Sequence, residues 1–96
     1  GIRAAFRLMR NHITGFKGSR PCMNTIAKLI GVWAPPSENA TLKYIDVVSQ
    51  RANMKPTQLI DPYSERQMVA IARAMAFVEC GVEIDEEKFH SAWALI

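Results

Sequence analysis

Apolar residues recur with a helical period along the whole chain. Ile2, Ala5, Phe6, Met9 and Ile13 share one side of residues 2–13, with Arg3, Arg7 and Arg10 opposite, which predicts an amphipathic helix. The run from Gly15 to Pro21 carries two glycines and a proline and predicts a loop. Asn24 or Thr25 can cap a second helix with Ile26, Leu29, Ile30 and Trp33 on one stripe, ended by Pro35 and Pro36. Ser37 or Asn39 can cap a third helix running to about Ala52, with Tyr44, Ile45, Val48 and Ala52 inward. Pro56 predicts a short helical turn through Leu59.

Asp61 followed by Pro62 predicts the start of a fourth helix, because proline at the first helical position lacks only an N–H that would be unpaired anyway. That helix, about 62–80, ends where Gly81 can take up the left-handed conformation. A last helix begins near Asp85 and carries Phe89, Trp93 and Leu95 or Ile96. No stretch alternates apolar and polar residues long enough for a sheet. The pattern predicts an all-α domain of about five helices.

The fourth helix carries the most information. From Met68 to Val78 it is apolar nearly all round apart from Arg73, as expected of a helix at the centre of a domain. At about 100° per residue, Met68, Ile71, Ala72 and Met75 fall in one sector, and Glu79 falls in the same sector. A carboxylate on an apolar stripe, in a last turn where the helix dipole disfavours negative charge, is what a general acid requires. An exposed Glu that follows the stripe out into solvent is the plainer alternative.

Composition narrows the picture. Ninety-six residues, 49% of them hydrophobic, suffice for one domain, 1–96, with a modest core. No run approaches the ~18 apolar residues that a membrane span needs. The chain opens in helical periodicity at Ile2, which suggests an upstream N-terminal segment. A net charge of +3 gathers basic residues in the first third and acidic ones near Glu83, Asp85, Glu86 and Glu87; a solvated helix face explains such a bias at least as well as a polyanion partner. Cys22 and Cys80, like His12 and His90, lack the short spacing of metal ligands, so neither a metal nor another cofactor is expected.

The run Trp33-Ala34-Pro35-Pro36-Ser37-Glu38-Asn39, followed by Thr41 and Tyr44-Ile45, and preceded by Gly1-Ile2-Arg3-Ala4, resembles a family of virion-associated structural proteins of phages and prophages. Some relatives in that family look like lysozymes or lytic transglycosylases. The resemblance covers essentially the whole chain. It implies a lysozyme-like helical fold and a place in the virion or at the bacterial cell envelope. In the family the penultimate helix ends in Arg-His-Glu-Asn-Gly; here the matching stretch is Phe77-Val78-Glu79-Cys80-Gly81, which keeps the Glu and the Gly and loses the His and the Asn.

The resemblance implies that peptidoglycan glycan strands or other virion proteins are the partners. As a glycan-cleaving enzyme the chain would use Glu79 as its acid, protonating the leaving oxygen. A lytic transglycosylase needs only that one carboxylate, whereas a hydrolase needs a second, for which Glu38, Glu83 and Asp85 are candidates. Tyr44, Tyr63, Glu38 and Asn39 are the candidate substrate-binding residues, the tyrosines as platforms for sugar faces. Trp33 continues a helix stripe and is expected in the core. A non-catalytic structural or interaction domain on the same scaffold is the chief alternative. An open groove with Glu79 in its wall would favour the enzyme; a paired or solvated Glu79 would favour the scaffold. A DNA-binding helix-turn-helix over Ile26–Val32 and Thr41–Ile45 is weaker, because Lys43 is nearly the only basic residue on its second helix.

Overall fold

A computed structural model describes residues 1–33 and 37–96; Pro35 and Pro36, expected to end the second helix, lie outside the described residues. Five helices and no strand occur among the described residues, so the chain is all-α as its periodicity predicts. They are α1 (Ile2–Gly18), α2 (Ile26–Trp33), α3 (Glu38–Ala52), α4 (Glu65–Cys80) and α5 (Glu86–Trp93).

Phe6, Met9 and Ile13 are buried, so the stripe read from α1 is its core face. The helix stops being right-handed at Gly15. Gly15 (φ 70°), Phe16 (φ 50°) and Lys17 (φ 60°) form one left-handed turn, and Gly18 follows at φ 86°. Left-handed geometry costs a non-glycine residue about 1–2 kcal/mol, and local contacts offset it here. The N–H of Arg20 donates to the Gly15 carbonyl at 2.9 Å. The Ser19 hydroxyl donates to the Phe16 carbonyl at 2.8 Å. The Phe16 ring lies edge-on to His12 at 5.0 Å, with the Arg20 guanidinium 4.4 Å from its centroid.

Thr25 caps α2, its hydroxyl oxygen accepting from the Lys28 N–H at 3.2 Å. Thr25 also bridges Leu59, and the N–H of Ile60 donates to the Asn24 carbonyl at 2.8 Å, so the 54–60 segment lies along the start of α2. The helical turn expected after Pro56 is absent. Gln58 closes a single hydrogen-bonded turn on Lys55, and Leu59 is spent on the bridge.

Ser37 caps α3 by accepting from the Ala40 N–H at 3.4 Å, and Tyr44, Val48 and Ala52 are buried. The fourth helix starts later than the Asp61-Pro62 signal suggests. Asp61 accepts from the Tyr63 N–H at 2.9 Å, which makes a turn that competes with helix. Ser64 is the cap, its hydroxyl oxygen accepting from the Gln67 N–H at 3.2 Å. Gly81 (φ 73°) ends α4, its N–H bonded to the Phe77 carbonyl at 2.8 Å. Asp85 caps α5; Leu95 and Ile96, expected within that helix, lie past its end.

α4 is the hub, packing against α1, α3 and α5. Met68, Val69, Ile71, Ala72, Ala74 and Met75 are all buried. Full burial of a Met or Ile side chain contributes about 1.5–3 kcal/mol, so this helix holds a large share of the core. Phe6 of α1 meets Phe89 and Trp93 of α5 edge-on, at centroid separations of 6.4 and 5.3 Å. No helix among the described residues is long and apolar enough to cross a membrane.

Candidate functional site

Glu79 sits one residue before the end of α4, next to an open groove of about 250 Å³. Ile2 and Met9 of α1, Trp33 of α2, Met75 of α4 and Phe89 of α5 contribute its apolar wall. Among the described residues, Glu79 is the only charged side chain in that lining. The wall is apolar because three helices turn their stripes toward the C-terminal half of α4. Trp33, expected in the core, is half-buried: it packs on the core and also faces this groove.

The carboxylate of Glu79 is exposed and not sunk in the apolar stripe. The sector that buries Met68, Ile71 and Met75 reaches the surface at Glu79, in the last turn of α4. Its Oε1 accepts a hydrogen bond from the Tyr44 hydroxyl at 3.0 Å. Tyr44 itself is only 4% exposed. Its phenol is pushed well above the usual tyrosine range by burial first, then by the hydrogen bond to Glu79 and the negative charge there. Tyr44 therefore keeps its proton and acts as a donor.

The other candidates do not gather around Glu79. The Tyr44 ring is inside the core, which leaves no face for a sugar to stack on. Tyr63 is well exposed but stands before α4, about 21 Å of helix away from Glu79. There its ring takes the Arg10 guanidinium 4.8 Å from its centroid, and Trp93 takes the same guanidinium at 5.2 Å. Glu38 and Asn39 are exposed in the first turn of α3 and do not line the groove.

Of the three candidate second carboxylates, Glu38 does not line the groove and the other two are engaged. Glu83 pairs with Arg51 and with Arg73 (3.3 Å), and the Arg51 hydrogen bond holds its carboxyl below the usual range despite some opposing desolvation. Asp85 is occupied as the cap of α5. Arg51 was not among the sequence candidates, yet its guanidinium lies 3.4 Å from the Phe77 centroid and joins α3 to the end of α4. Cys22 and Cys80 are both free and exposed. No family model matches the chain, and no curated protein matches it.

Proposed function

We propose that this chain is a non-catalytic interaction domain of a phage or prophage virion, lysozyme-like in build, which seats an apolar segment of another virion protein beside Glu79. The observation that supports it is the state of that carboxylate: exposed, and already accepting the Tyr44 hydroxyl at 3.0 Å. A general acid must be free to reach the leaving oxygen, whereas the Oε1 of Glu79 is already engaged by Tyr44 at the groove's edge. The groove suits an apolar chain better than a sugar, since beyond the Glu79 carboxylate and the Trp33 indole a glycan's hydroxyls would meet mostly methyl, thioether and aromatic carbon. A cationic group on the partner would find Glu79 at the groove's edge.

A second reading, cleavage of peptidoglycan glycan strands with Glu79 as acid, is favoured by the openness of the groove and the presence of one carboxylate in its lining. With Glu83 and Asp85 engaged elsewhere, that chemistry would take the single-carboxylate route of a lytic transglycosylase.

Clearing of purified peptidoglycan by the parent and by Glu79→Gln, with product masses recorded, separates the two. The interaction reading expects no clearing by either protein. Clearing by the parent alone would overturn it, and an anhydro sugar end would identify the transglycosylase.

A further inference from the structure

Charge is unevenly divided along this chain. All nine Asp and Glu residues lie at position 38 or later, while α1 carries Arg3, Arg7, Arg10 and Lys17 and no acid. Steps of four and three residues put the three arginines on one side of α1, a track about 10 Å long. None of the ion pairs among the described residues includes them; those pairs use Arg51, Arg73 and His90 instead. Arg3 and Arg7 are exposed and edge a depression between the start of α1 and the end of α5.

Tyr63 stands at the far end of the track. Its ring is 68% exposed, although the Arg10 guanidinium lies 4.8 Å from its centroid. Trp93 holds the same guanidinium at 5.2 Å, and the Arg10 Nε donates to the Pro62 carbonyl at 3.4 Å. Arg10 is thus fixed, while its two terminal nitrogens have no hydrogen-bond partner among the described residues. The acids on either side of Tyr63 are both engaged: Asp61 accepts the Tyr63 N–H at 2.9 Å, and Glu65 bonds His90 at 2.6 Å.

We propose that the arginine track and Tyr63 form a binding face for single-stranded nucleic acid. The planar fork of an arginine matches the oxygens of a phosphate. At about 3.4 Å per nucleotide of a stacked strand, the track spans about three phosphates. An exposed aromatic ring beside cations is a platform on which a base stacks, and only an unpaired strand can offer one. An acidic protein surface would engage the arginines and leave the ring without a role. None of these four side chains lines the Glu79 groove, so the inference stands apart from the reading of that carboxylate.

The test is fluorescence anisotropy of a labelled oligothymidylate about ten nucleotides long, titrated with the chain at several salt concentrations. Three phosphate contacts predict that log affinity falls with log salt at a slope of about −2. Arg3→Gln and Arg7→Gln should each flatten that slope by about 0.7. Tyr63→Ala should weaken binding roughly fivefold to a hundredfold at an unchanged slope, and Tyr63→Phe should restore it. All three positions are exposed, and circular dichroism checks that the variants fold. No binding at low salt, or a Tyr63→Ala variant that binds like the parent, would overturn the proposal. So would displacement of the strand by polyglutamate at equal charge, or tighter binding to phosphatidylglycerol vesicles than to the strand.

Discussion

The hydroxyl of Tyr44 donates to the carboxylate of Glu79 at 3.0 Å, so a side chain buried in the core of α3 fixes one exposed at the end of α4. Tyr44→Phe keeps the ring and removes only the donor. It should lower stability by about 1 kcal/mol in urea denaturation. In Glu79→Gln the same substitution should cost less, because the amide replaces the charged acceptor. Equal losses in both backgrounds would show that the charge of Glu79 adds nothing to the hydrogen bond.

Gly15 and Gly81 both have positive φ, but only one is sterically enclosed. A Cβ on Gly15 would lie 2.2 Å from the backbone oxygen of Arg20, which cannot move aside as a side chain could. A Cβ on Gly81 would meet nothing within 4 Å. Gly81→Ala should cost about 1 kcal/mol from backbone strain alone, and Gly15→Ala markedly more. Thermal denaturation of the two variants side by side checks the order.

Ser64 is the cap of α4, and its loss would leave the Gln67 N–H without that acceptor. Ser64→Ala should cost about 1 kcal/mol, whereas Asp61→Ala should cost less, since Asp61 caps only a turn. The reverse order in urea denaturation would place the helix start where Asp61-Pro62 suggests.

His90 bonds Glu65 at 2.6 Å through Nδ1 and approaches Glu86 at 3.5 Å through Nε2. The Glu65 hydrogen bond, helped by Glu86, holds the imidazole above its ordinary value of 6.5 against a smaller effect of burial. The folded protein thus binds this proton more tightly than the unfolded chain does. The resulting stabilisation is fully present below about pH 6.5 and is lost as pH rises through the folded value. The melting temperature of the parent relative to His90→Gln should therefore fall as pH rises above about 6.5. A difference that grows with pH would contradict the assignment.

The sequence made the helices legible because each has an apolar stripe and a small polar residue or glycine at its ends. Ser37, Thr25, Gly81 and Asp85 all act where those signals put them. Asp61-Pro62 misled because an Asp before Pro suits a turn as well as a helix start, and Ser64 three residues on is the better cap. Tyr44 shows the limit at the site. Periodicity placed it on the apolar stripe, and burial there removes the ring face that a sugar platform needs. Glu79 was found by its sector, but its exposure in the last turn of α4 is set by tertiary packing, which no local spacing records.

The edge-on packing of Phe6 against Phe89 and Trp93 joins α1 directly to α5. On the ribosome, α1 emerges long before the residues that cover it, so the Phe6 side of that helix stays wet until α5 has been made. This makes the domain one cooperative unit, in which a nascent chain stopped short of Phe89 would expose an oily face for chaperones to hold.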